Sequence, residues 1–89
     1  MPKHVTTTEK PDLSQPFSMA ILGQYVRYRR TKEKVRLEDA AALCGVSKQA
    51  YSDVETGKGN LHTETVIKVC TGMGVTLQIV DEPEPADDW

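Results

Sequence analysis

LEDAAALCGVSKQAYSDVETG, Leu37–Gly57, holds two short helical patterns separated by a tight turn. The small apolar run Ala40, Ala41, Leu43, Cys44 leads into Gly45, which takes the left-handed backbone that ends a helix. Val46 follows at a position the turn can bury. Ser47 is a good N-cap for a second helix over Lys48–Glu55, because its hydroxyl can accept from a free amide of the first turn. Gly57 stops that helix. Two helices joined by a short glycine-containing turn make the helix-turn-helix pattern, whose second helix enters a DNA major groove.

Within that second helix, Tyr51 and Val54 lie three apart and belong to a buried face. The outward face then carries Lys48, Gln49, Ser52 and Asp53. Glutamine can bond adenine through two contacts, lysine can reach guanine acceptors or phosphate, and serine can serve either base edge. Asp53 fits less easily. It repels phosphate unless it accepts from a cytosine amine or pairs with a lysine.

Upstream, Met19, Leu22 and Val26 recur at spacings of three and four, with Ile21, Tyr25 and Tyr28 as a neighbouring stripe. A helix is expected from Pro16, suited to a first turn, to about Lys32. Its end is basic: Arg27, Arg29, Arg30, Lys32 and Lys34, with Arg36 just beyond. Cations there suit the C-terminal helix dipole. Beside a helix-turn-helix, Lys34 and Arg36 also form a rim able to contact phosphate. Before this helix, 1–15 is polar, with two prolines and three successive threonines, and reads as a flexible N-terminal arm.

Downstream, Lys58 and the glycine-rich loop around it offer a second phosphate contact. His62 to about Gly72 reads as a further helix with Val66, Val69, Cys70 and Met73 as its stripe; Asn60, His62 and Thr63 are all possible caps. Val75–Val80 changes period. Val75, Leu77 and Ile79 alternate with Thr76, Gln78 and Val80, a strand pattern rich in β-branched residues. The chain has no second strand pattern to pair with it. Pairing with the same strand of a second copy satisfies the backbone and gives a two-fold dimer, with Val75, Leu77 and Ile79 as dimerisation residues. Such a dimer implies an inverted-repeat operator.

Charge supports this division. The 89 residues carry a formal net charge of −2. In residues 16–60, eight basic residues stand against five acidic ones, a net +3; in residues 61–89, one stands against six, a net −5. The basic half suits DNA. The tail 81–89, DEPEPADDW, is acidic and proline-interrupted and does not fold alone. Its terminal Trp89 is a large anchor of the kind that docks in a partner pocket.

Other classes have little support. No apolar run approaches a membrane span, and no signal-peptide core follows Met1. Cys44 and Cys70 read as two reduced core thiols in a cytoplasmic protein. His4 and His62 lack partners at metal-ligand spacing, so no metal or other cofactor is expected. Paired carboxylates, a Cys/His arrangement and a phosphate loop with its lysine are all missing, which argues against an enzyme.

From Leu22 to Val75 the chain resembles the XRE or Cro/C1-type helix-turn-helix family. The residues that carry this are LGxxVRxxR at Leu22–Arg30, AAxxCGVSxxxYSxVExG at Ala40–Gly57 and VIKVCxGMGV at Val66–Val75. The resemblance implies a mainly α, lambda-repressor-like helix-turn-helix bundle of four to five helices over residues 16–74. One C-terminal β-strand, residues 75–80, would pair across a homodimer. It also implies a structural pair between Arg30 and Glu55, and DNA contacts at Ser47, Lys48, Gln49, Ser52 and Asp53. Three positions depart from the pattern. Arg36 and Leu37 stand where Thr-Gln is common, and Arg29 stands where leucine is usual. The strand followed by a short tail ending in Trp is similar to the HipB antitoxins. That implies a repressor and antitoxin whose Trp89 docks on a HipA-like kinase toxin, or on a separate small subdomain protein of that toxin. A stand-alone phage-like or metabolic repressor is the alternative.

Overall fold

The computed structural model describes residues 5–58 and 61–81. Four helices follow in order: α1 Met19–Lys32, α2 Leu37–Cys44, α3 Lys48–Thr56 and α4 Thr63–Gly72. α1 packs mainly on α3, while α2 lies against both α3 and α4. Val26, Ala40, Tyr51, Val54 and Val69 are wholly buried where these helices meet. Leu22, Ala41, Cys44, Val66, Cys70 and Met73 complete the core. No helix among the described residues is long and apolar enough to cross a membrane.

α1 begins three residues later than Pro16. Ser18 is the N-cap, its hydroxyl accepting from the Ile21 amide at 3.1 Å. A side-chain oxygen that satisfies a first-turn amide is a stronger start than a proline that merely lacks one. At α3 the expected cap forms, with Ser47 Oγ accepting from the Ala50 amide at 3.0 Å. α4 takes His62 as its N-cap, without a side-chain bond.

All four helices end in the same way. A residue with left-handed backbone donates its amide to the carbonyl three back, and its successor donates five back. Gly45 and Val46 do this after α2, Gly57 and Lys58 after α3, Gly74 and Val75 after α4. After α1 the residue is Lys34, the one non-glycine with positive φ among the described residues, at 60°.

The strand expected over Val75–Val80 is not formed in the single chain; these residues carry no regular structure. A strand exists only by its ladder, and no second strand is present among the described residues. Val75 packs against the core. Leu77, Ile79 and Val80 are all exposed, at 44%, 97% and 71%.

Residues 7 and 8 lie against the end of α1. The Thr8 amide donates to Thr31 Oγ1 at 2.9 Å, and Thr7 Oγ1 donates to the Thr31 carbonyl at 3.3 Å. Thr31 is buried beneath them.

Burial pushes the thiols of Cys44 and Cys70 above the usual cysteine value of 9.0, and it pushes the Tyr51 hydroxyl above the usual 10.0. These groups are held protonated in the folded chain but ionise at ordinary values once it unfolds, so the stability they confer is intact below pH 9 and lost as pH rises. Urea midpoints are expected to hold from pH 7 to 8.5 and to fall steadily above pH 9. A midpoint that is flat to pH 10.5 would contradict the burial of these three groups.

Candidate nucleic-acid interface

α3 is two-sided. Tyr51, Val54 and Glu55 face inward and are buried, while Lys48 and Gln49 are exposed and Ser52 and Asp53 half-exposed on the other side. Ser47 opens the helix, its oxygen engaged by the cap. Its hydroxyl hydrogen stays available to an acceptor. The outward side therefore offers a cation, an amide, two hydroxyls and a carboxylate within about two turns.

The far end of α3 is fixed by an ion pair. Arg30 Nε donates to Glu55 Oε2 at 2.6 Å and Nη2 to Oε1 at 3.0 Å, while Nη1 donates to the Val35 carbonyl at 3.0 Å. The two side chains are 9% and 4% exposed. The hydrogen bonds that the Arg30 guanidinium donates to Glu55 hold it charged more firmly than usual. The Tyr51 hydroxyl lies in this same buried region without the geometry of a hydrogen bond. This pair anchors α3 to α1, so the outward side of α3 is carried on a rigid base.

Asp53 takes a role that the sequence reading did not consider. Its Oδ1 accepts from Gln49 Nε2 at 2.9 Å, one helical turn away. Among the described residues no lysine or arginine pairs with it.

Arg36 and Lys48 line one cleft together with Thr6, Thr8, Leu37 and Arg27. Arg36 also reaches Asp39 at 3.8 Å, with both side chains more than half exposed. Such a pair contributes little and is easily exchanged for another anion. Arg27 was read from the sequence as part of the basic end of α1 but was not singled out as a contact. It sits one turn before Arg30, and that spacing was a usable signal: Arg30 turns inward to Glu55, while Arg27 remains exposed and lines the cleft.

Lys34 and Lys58 lie elsewhere. Lys34 Nζ donates to Thr7 Oγ1 at 3.0 Å and so ties down the N-terminal segment. Lys58 borders a separate groove, mostly apolar, with Phe17, Met19, Leu61, Ile67 and Leu77. The loop residues 59–60 that were to hold phosphate beside it lie outside the described residues, and so does Trp89.

A capped α2, a glycine turn and a capped α3 with one buried and one outward side define a helix-turn-helix protein. The family model described as Helix-turn-helix matches residues 26–80, more than half of the chain, and the chain belongs to that family. Within it the chain is of the XRE type, a class of DNA-binding regulators. Among solved structures, the HipA-HipB-O2-O3 complex contains a chain that matches with a TM-score of 0.67 and 16% identity, over 78% of this chain and 97% of that one. The clp gene regulator ClgR from C. glutamicum matches at 0.57 and 27%, over 70% and 80%. The restriction-modification controller protein C.AhdI from Aeromonas hydrophila matches at 0.56 and 26%, over 65% and 84%. No curated protein matches the sequence.

Proposed function

We propose that this chain is a sequence-specific transcriptional repressor that binds an inverted-repeat operator as a homodimer, and that it is the antitoxin component of a HipA-type toxin–antitoxin operon. The observation that carries the DNA-binding part is the outward side of α3, mounted on a helix whose other side is fully buried. Ser47, Lys48, Gln49 and Ser52 read base edges, with Asp53 beside them on the same side of α3, and Arg36 with Arg27 receives backbone phosphate. Lys34 and Lys58, both cations outside that cleft, are assigned further phosphate contacts in this reading.

Dimerisation rests on the C-terminal segment. Leu77, Ile79 and Val80 present apolar side chains to solvent beside backbone groups that have no ladder in the single chain. A second copy that supplies the matching strand covers both. The antitoxin part rests on the acidic tail ending in Trp89 and on the likeness to the HipB chain of a complex that also contains HipA. The expected partner is a HipA-like kinase, or a small subdomain protein of such a kinase.

Lys48→Ala and Gln49→Ala are each expected to cost about 1–3 kcal/mol on the selected operator and to relax base preference. Equal losses on random DNA, read by fluorescence anisotropy at fixed salt, would reduce both residues to phosphate contacts. The antitoxin reading is tested by purifying the tagged protein from its intact operon, with and without residues 81–89. A kinase-sized or subdomain-sized partner lost on truncation is expected. A homodimer without a partner in both preparations supports the stand-alone repressor, and a monomer in both removes the strand-paired dimer.

A further inference from the structure

We propose that Asp53 is a positioning residue for base recognition: it fixes which way round the Gln49 amide faces DNA and thereby sets the base preference of that position. The inference rests on the DNA-binding reading above. A carboxylate at neutral pH only accepts hydrogen bonds. With Asp53 Oδ1 2.9 Å from Gln49 Nε2, the amide nitrogen must face the carboxylate, since the amide oxygen in its place would meet another acceptor. The nitrogen uses one hydrogen on Asp53 and keeps the other. The oxygen is held on the far side with both lone pairs open.

That arrangement has one reading order. A glutamine that bonds adenine through two contacts accepts from the N6 amine and donates to N7. Guanine presents two acceptors, O6 and N7, so an amide held in this order sets its oxygen against one of them. An unheld amide can turn over and meet the reversed order of donor and acceptor. Asp53 removes that option. This accounts for a carboxylate on a DNA-facing helix without a direct base contact and without a lysine partner. Its repulsion of phosphate is exchanged for selectivity. Asp53 is half-exposed and Gln49 exposed, so neither supports the core.

An i,i+4 amide–carboxylate pair also steadies a helix in its own right, so the test separates the two roles by a double-mutant cycle. The full-length protein, Asp53→Ala, Gln49→Ala and the double variant are each used to select binding sites from a random duplex library, and base preferences are counted position by position. Asp53→Ala is expected to lower the preference at one position of each half-site about tenfold, with affinity for random DNA equal or higher and the melting curve lowered only slightly by the loss of one surface pair. In the Gln49→Ala background the same substitution is expected to leave the preferences unaltered. Asp53→Asn, which can turn its own amide to offer an oxygen, is expected to restore part of the preference. Unchanged preferences in Asp53→Ala would overturn the inference, as would an Asp53 effect of the same size without Gln49. A parent protein that enriches no sequence at all would overturn the repressor reading itself, and the inference with it.

Discussion

Glu55→Ala is expected to leave the chain largely unfolded at 37 °C. Removing one partner of a buried ion pair leaves the other charge without compensation, at a cost of about 3–5 kcal/mol. Here the survivor is Arg30, whose guanidinium would keep only the Val35 carbonyl. Domains of this size hold only about 5 kcal/mol or slightly more in total. The loss is therefore comparable with the whole stability. Replacing both members with apolar residues, as in Arg30→Met with Glu55→Leu, removes the stranded charge. That double variant is expected to be more stable than either single change. Urea titration followed by circular dichroism measures all five proteins: the parent, Glu55→Ala, Arg30→Met, Glu55→Leu and the double variant. A Glu55→Ala unfolding free energy within about 1 kcal/mol of the parent's would mean that water reaches the pair.

Gly23→Ala has the second large expected effect, and its sign is opposite to helix propensity. In the middle of an exposed helix, alanine is worth up to about 1 kcal/mol over glycine. At Gly23 the added methyl would stand 2.4 Å from the carbonyl oxygens of both Val54 and Glu55. These are backbone atoms of α3 and cannot rotate aside, so α1 must move off α3. The expected loss is about 3 kcal/mol or more, the upper end of overpacking costs. Gln24→Ala, next door and exposed, should stay within about 0.5 kcal/mol of the parent. Similar melting temperatures for the two variants would contradict the close approach of α1 to α3. Gly23 and Arg30 act on the same contact. One lets the two backbones touch at the end of α3, and the other, about 10 Å farther along α1, ties down the Glu55 side chain.

What the sequence made legible was local. The Gly45 turn, the Ser47 cap, the Gly57 stop and the inward facing of Tyr51 and Val54 each depend on neighbours within one or two turns, and each formed as read. The first helix began late because Ser18 supplied a cap that the reading from Pro16 overlooked. The Gly23 contact joins residues about thirty apart in the chain, so a glycine in a helical pattern gave no sign of what it touches. The Gln49–Asp53 pair had the right spacing to be read. It was missed because Asp53 was weighed against DNA and lysine rather than against its own helix. The strand over 75–80 depends on a second copy, and one chain cannot form it.

The end of α1 differs from the other three helix ends in the residue that turns the chain. Those three place glycine in left-handed backbone, and the fourth places Lys34 there at φ 60°. Holding a side chain in that conformation costs about 1 kcal/mol that glycine would avoid. Lys34→Gly would relieve that cost but remove the ammonium that bonds the Thr7 hydroxyl at the edge of the basic rim, so backbone comfort and the tether pull this one position in opposite directions.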